Sequence, residues 1–342
     1  MLDSPRLKLR LLIALSLLAF LLVACEEPAP SSTGIQAYFT NPASSSQNQA
    51  LQDALLDSLN NARTSVDIAM YNFNLLEAGN ALRKARSNGA AVRIVVDSDA
   101  MDNKLLQQLR REGFEVLGDR REGLMHNKFI VIDGKTVWTG SLNLTYGGLT
   151  NDENNLVRIE SPDLAERYTE EFNEMFEEDL FGGGTPLGER SALTLNGNRA
   201  WLYFSPEDVP SQAILERIQQ TQTSINMLAY AFTLNDLRDA LLESAHRGLD
   251  VRIVFDAGQS TATGSEYQTL KNAGLDVRLD GSSGLMHHKV IILDGKTVIF
   301  GSYNFTRSAD VNNDENVLIV ENAELAKQFT RTFERIYTQA QP

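Results

Sequence analysis

The sequence predicts an α/β protein of two homologous halves, each a mixed β-sheet flanked by helices, the halves related by a pseudo-twofold axis. Three observations carry this expectation. The chain repeats itself over most of its length, apolar β-branched runs alternate with helix-spaced runs inside each copy, and a glycine-rich stretch separates the copies.

The repeat is legible by laying the chain over itself. The string TSVDIAMYNF at 64–73 returns as TSINMLAYAF at 223–232, and VRIVVD at 92–97 returns as VRIVFD at 251–256, both offset by 159 residues. Later strings are offset by 161, so the copies differ by little more than one short insertion. A period this long marks a duplicated domain and not a solenoid. The boundaries read as a first half over 37–180, a joint over 181–191 containing FGGGTPLG, and a second half over 192–342.

Within copy one, runs at 66–70, 92–96, 129–132 and 137–138 read as strands, rich in Val and Ile. Helical spacing appears at 50–61, 75–86, 104–111 and 164–176, and Asn88-Gly89 stops a helix before the second strand. Copy two follows with helices at 213–221, 237–245, 267–271 and 325–337. Asp133-Gly134 and Asp294-Gly295 are tight-turn signals between two strands.

The first 24 residues read as a signal peptide. Arg6, Lys8 and Arg10 precede an apolar run over 11–23, too short to span a bilayer. The run ends in Leu22-Val23-Ala24-Cys25, which resembles the bacterial lipobox; that resemblance implies cleavage before Cys25, its acylation, and a lipid-anchored place in the cell envelope, on the periplasmic or extracellular side. A Pro/Ser-rich tether over 25–36 follows. Cys25 is the only cysteine, so no internal disulfide can form and stability must come from packing.

Composition is that of a globular chain, 42% hydrophobic and 22% charged, with a formal net charge of −14. Removing Asp3 and three basic residues with the leader leaves 28 basic against 44 acidic residues, or −16. Polyanion binders usually present a basic surface that releases counterions. Nucleic acid is therefore a less favoured partner than a phospholipid or another small phosphodiester.

The chemistry concentrates in two strings of identical internal spacing. Copy one holds His126, Lys128, Asp133, Gly140, Ser141 and Asn143; copy two holds His287, Lys289, Asp294, Gly301, Ser302 and Asn304. An Asn-Asp-Glu-Asn string follows each, with Glu153 in one and Glu315 in the other. Histidine and lysine two apart on a strand share a face. Each copy thus offers an imidazole, an ammonium and a carboxamide to one point. Lysine neutralises a phosphate oxygen, asparagine and serine donate to it, and histidine does proton or covalent work. One copy is half of an in-line displacement site, and two copies across a twofold axis complete it.

These strings resemble the HxKxxxxD and GSxN motifs of the phospholipase D superfamily, present twice, with copy two closest to the compact nuclease-type branch that carries one motif per chain and dimerises. The resemblance covers Tyr38 to the C-terminus and implies a phosphodiesterase working through a phosphohistidine, while the expected anchor and the acidic mature chain favour a phospholipid as its substrate. It assigns nucleophilic attack to His126 and acid–base work to His287. Lys128, Lys289, Asn143 and Asn304 hold the phosphate, and Glu153 and Glu315 accept the far ring N–H of the histidines. Asp133 and Asp294 pin their hairpins. No metal or cofactor is implied. The fused pair of motifs implies a monomer. A metal-independent endonuclease, a cardiolipin-synthase-like phosphatidyl transferase and a silent membrane-bound binding module are the alternatives.

Other residues take plainer readings. His246 ends a helix, and His288 points away from its catalytic neighbours by strand alternation. Tyr71, Phe73, Tyr230 and Phe232 read as packing. Arg120-Arg121 reads as either an attractor for an anion or a solvated loop, and 166–179 as the outer face of a helix.

Overall fold

Two sheets, each built around one copy of the repeat, face each other across a shared core. The computed structural model describes residues 34–341, so the signal peptide, Cys25 and most of the tether lie outside the described residues. No helix among the described residues is long and apolar enough to cross a membrane.

The first sheet uses β1 (Ile35–Phe39), β2 (Ser65–Met70), β3 (Ala91–Val96), β4 (Glu115–Gly118), β5 (Lys128–Ile132), β6 (Thr136–Gly140) and β7 (Asn155–Glu160), in the order β1-β7-β6-β5-β2-β3-β4. Strands β2, β3 and β4 run parallel, and the other pairings are antiparallel, which makes the sheet mixed as expected. The parallel steps need crossovers. Helices α2 (Leu76–Ser87) and α3 (Lys104–Arg111) supply them, after α1 (Ser45–Asn60) and before α4 (Tyr146–Thr150) and α5 (Pro162–Phe176).

Copy two repeats the plan with β9 (Asn198–Ser205), α6 (Pro210–Gln220), β10 (Ser224–Ala229), α7 (Asn235–His246), β11 (Asp250–Phe255), α8 (Tyr267–Asn272), β12 (Asp276–Leu279), β13 (Lys289–Leu293), β14 (Thr297–Gly301), α9 (Arg307–Val311), β15 (Glu315–Glu321) and α10 (Ala323–Gln339). Its sheet order, β12-β11-β10-β13-β14-β15-β9-β8, mirrors the first and adds one edge strand, β8 (Ala192–Leu195). Strand β1 begins two residues inside the expected tether. Alternating buried positions Ile35, Ala37 and Phe39 pair it with β7 and order the chain earlier than composition suggested.

The strands are apolar on both faces because both are covered. One face of each sheet carries its own outer helices, and the other joins the common core, where α5 and α10 lie. Ser161 and Asn322 cap these two helices by accepting the Leu164 and Leu325 amides at 3.2 and 2.9 Å. Helix α10 buries Leu325, Phe329, Phe333 and Ile336, each worth ~2 kcal/mol of apolar burial. Helix α5 is not wholly an outer face, since Glu171 points into the protein and is buried.

The hairpins after the histidine strands are fixed by Asp133 and Asp294. Each sits at positive φ (53° and 52°) followed by a glycine at 61° and 60°, a two-residue turn with both central residues left-handed. The Asp133 carboxylate accepts from the amides of Arg63, Thr64 and Ser65 and the Thr64 hydroxyl, tying the hairpin to the start of β2. Asp294 does the same for Gln222, Thr223 and Ser224.

Candidate active site

The histidines stand two residues before the first residue of each central strand, where the two halves hydrogen-bond to each other. His126 N donates to Asp314 O at 3.0 Å, and Asp314 N donates to Leu124 O at 2.9 Å. Symmetrically, His287 N donates to Glu153 O at 2.9 Å, and Glu153 N donates to Leu285 O at 2.8 Å. Two short bridges thus bring the motifs of separate copies into one place. Asp97 and Asp256 hold the approach by accepting the Met125 and Met286 amides at 3.2 and 2.9 Å.

Each ring is oriented by a residue of the opposite copy. His126 Nδ1 lies 2.8 Å from both carboxylate oxygens of Glu315. His287 Nδ1 lies 2.9 Å from Asn154 Oδ1. An acceptor behind Nδ1 fixes the proton there and leaves Nε2 as the working nitrogen, as in a serine-protease triad.

This corrects the expectation for Glu153. Its carboxylate accepts both terminal nitrogens of Arg335 on α10, at 2.7 and 2.5 Å, and does not meet an imidazole. The two Asn-Asp-Glu-Asn strings mislead because they are out of step by one. At the 161-residue offset that superposes the histidines, Glu153 falls on Asp314 and Asn154 falls on Glu315.

Ser141 and Ser302 are also corrected. Both are fully buried, and their hydroxyls bond to Asn154 and Glu315, the residues behind the rings. The Ser141 hydroxyl donates to Asn154 Oδ1 at 2.9 Å and accepts the Asn155 amide at 3.1 Å. Ser302 accepts the Asn316 amide at 2.9 Å and bonds to the Glu315 carboxylate. The glycine before each serine is required by close approach. A Cβ on Gly140 or Gly301 would sit 2.4 or 2.1 Å from the carbonyl oxygen of Asn155 or Asn316.

Lys128 and Lys289 share the site with the rings. Their ammonium groups donate to the carbonyls of His126 and His287 at 2.7 and 2.9 Å. Burial pushes Lys128 down to about 7, and burial together with Lys128 pushes Lys289 well below its ordinary value. Burial and both lysines likewise hold His126 and His287 well below the usual imidazole range, while burial raises Glu315 to about 8. Asn143 and Asn304 follow the serines, each with a buried Oδ1 that no group among the described residues satisfies. Two buried lysines beside two imidazoles disfavour one another's charged forms, and a bound anion would offset that repulsion and favour the ammoniums.

Tyr71 and Tyr230, expected to be packing, line the site instead. Their rings meet His126 and His287 edge-on at centroid distances of 5.0 and 4.7 Å, and Lys128 and Lys289 sit over them at 5.2 and 4.5 Å. Their recurrence in both copies one residue after a central strand was the available signal. His288 is buried and faces Asn155, away from the catalytic side, as alternation suggested. His246 closes the last turn of α7. Neither arginine of the 120–121 pair is free for substrate. Arg121 donates to the carbonyls of Asn312 and Gly123, and Arg120 pairs with Asp179.

The fold and this geometry define the class of proteins in which two copies of one α/β unit build a single histidine-centred site. The family described as "Cardiolipin synthase, PLD-like domain" matches residues 55–176 and again 214–337, and the chain belongs to that phospholipase D-like family. Among its relatives, the phospholipase D of Rickettsia prowazekii (strain Madrid E) is 37% identical over 130 residues, 38% of this chain and 63% of that protein. The mitochondrial cardiolipin hydrolase of Danio rerio is 37% identical over 130 residues, 38% of this chain and 57% of that protein. The chain therefore spans less than two thirds of either relative's length. The solved phosphatidylserine synthase of Haemophilus influenzae Rd KW20 matches 90% of this chain and 87% of its own with a TM-score of 0.68; at 15% identity this is a likeness of fold.

Proposed function

We propose that the protein is a phospholipase D-type phosphodiesterase that hydrolyses phospholipids through a phosphohistidine on His126. The observation that carries this reading is the meeting of His126 and His287, each with a polar acceptor at Nδ1, beside two buried lysines. The His126 Nε2 lone pair forms a bond to phosphorus as the P–O bond to the leaving alcohol breaks. His287 Nε2–H gives its proton to that oxygen. Water then attacks phosphorus, its proton passes to His287, and the P–N bond breaks to release a phosphomonoester. Lys128, Lys289, Asn143 and Asn304 hold the non-bridging oxygens, and Glu315 offsets the charge of the phosphorylated ring.

Charge favours a lipid over a nucleic acid. The chain carries −14, and a cavity of about 580 Å³ beside Leu285 is lined by Asp152, Asp256 and Asp280. A polyanion would meet repulsion there, whereas a diester with a cationic head group would not. The relatives' names, phospholipase D and cardiolipin hydrolase, support the same substrate class. We further propose that the chain acts as a monomer, exported and anchored in the cell envelope through acylated Cys25.

The test is the full chain, with a metal chelator present, on phosphatidylcholine vesicles and on plasmid DNA. Release of choline and phosphatidic acid is expected; cleavage of DNA alone would replace the lipid reading with a nuclease. Added ethanol distinguishes a transferase, whose main product would be phosphatidylethanol.

A further inference from the structure

The two halves of the site differ at one position. The repeat superposes Asn154 on Glu315, and both occupy the same place: the residue just before or at the start of the strand that follows the serine loop, directly behind a ring of the other copy. One histidine is therefore backed by a carboxylate and the other by an amide. We infer that Asn154 is the positioning residue of His287, and that its neutral amide makes His287 the more acidic of two otherwise matched histidines. This rests on the proposed phosphodiesterase reading, in which His287 is the proton donor.

The amide's orientation is fixed without reference to the histidine. Asn154 Nδ2 donates to Gly148 O at 3.0 Å, and Ser141 donates its hydroxyl to Asn154 Oδ1 at 2.9 Å. Only an acceptor is left for the ring, so His287 carries its neutral-state proton on Nδ1 and presents Nε2. The charged groups facing His287 are Lys289 and Lys128, with His126 and buried His288 beyond. Tyr230 closes the remaining side. Asp152 and Asp256 act on Lys289, and Glu315 sits behind the other ring. An imidazolium at His287 therefore faces cations with no carboxylate of its own, whereas His126 has Glu315. A strong acid suits departure of a poor, alkyl leaving group, and a charge-supported ring suits the covalent phosphoryl carrier.

The test is the pH dependence of kcat/KM, which reports steps up to phosphoenzyme formation, in wild type and Asn154→Asp. Two probes are compared: dihexanoylphosphatidylcholine, whose choline oxygen must be protonated, and bis-p-nitrophenyl phosphate, whose nitrophenolate needs no proton. With the choline ester the descending limb is expected to move up by about one pH unit, because an added carboxylate strengthens proton binding at His287. With the nitrophenyl ester it is expected not to move. An unmoved limb with the choline ester, or equal movement with both, overturns the inference. Should Asn154→Asp misfold, ¹⁵N-histidine NMR of the wild type decides it. His287 is expected in the Nδ1–H form and to lose its proton at lower pH than His126; titration at or above His126 overturns the inference. Retained turnover in both His126→Ala and His287→Ala would instead remove the underlying phosphodiesterase site, so the two failures are distinct.

Discussion

Replacing Glu315 by Gln and Glu153 by Gln, in separate chains, should separate two glutamates that look alike in sequence. Glu315 lies 2.8 Å from His126 Nδ1 and is fully buried. Once phosphorylation makes the ring cationic and Glu315 ionises beside it, a separation of about 4 Å at an effective dielectric of about 20 makes the lost attraction about 4 kcal/mol. At 1.4 kcal/mol per decade that is about a thousandfold in kcat, within the range seen when a triad carboxylate is replaced by its amide. Glu153 touches Arg335 instead, with side-chain exposures of 3% and 23%. Its amide keeps one hydrogen bond and loses the ion pair, so the cost should fall on stability, about 1–2 kcal/mol after discounting for the part-exposed arginine. That corresponds to a fall in Tm of a few degrees. Steady-state kinetics on bis-p-nitrophenyl phosphate and thermal melts read both effects. Equal losses of kcat in the two variants, or a larger loss for Glu153→Gln, would refute the assignment of ring partners.

Lys128→Met and Lys289→Met should each lower kcat/KM by about 10²–10³-fold, as loss of one preorganised donor to a developing charge does, measurable on the same ester. Glu207→Gln should raise Tm at pH 8 and change little at pH 5. Burial and neighbouring acids raise the Glu207 carboxyl to about 7 beside buried Glu171, so its favourable term is complete below its ordinary range and lost as pH rises through about 7. Shared between the pair, the gain is about 1–2 kcal/mol, read by melts at the two pH values. Asp133→Ala should cost about 2 kcal/mol at neutral pH, with kcat little changed. Although burial pushes its carboxyl up, the amides of Thr64, Arg63 and Ser65 hold it below its ordinary value, so that deficit should shrink as pH falls through the folded value.

The architecture was legible because both of its signals are local or periodic. Helices predicted at 104–111, 164–176 and 325–337 correspond to Lys104–Arg111, Pro162–Phe176 and Ala323–Gln339, since their apolar spacing is strong. Lys128 and Lys289 open their strands and bond back to the carbonyls of the histidines two residues earlier, which lie just ahead of the strands. What failed was information held in the partner half. Glu153 and Glu315 share a tetrapeptide, but which residue meets an imidazole depends on the register across the interface, and Arg335, 182 residues away, takes Glu153. The serines sit in the right loops, yet close packing of Gly140 against Asn155 turns the chain so that their hydroxyls face inward. Tyr71 and Tyr230 could be told from packing aromatics only once the rings beside them were located. Glu171 shows the same limit, since a charged helix face gives no sign of which carboxylate turns into a joint between halves.

The claim that one site is shared by both copies is tested most directly by rapid mixing of His126→Ala and His287→Ala with bis-p-nitrophenyl phosphate. The nitrophenolate leaves without an acid, so His287→Ala should release about one equivalent per chain and then stall as the phosphohistidine, lacking the group that activates water. His126→Ala should release none. Steady turnover by either variant at the wild-type rate would contradict the shared site, and a one-equivalent burst from His126→Ala alone would exchange the roles of the two histidines.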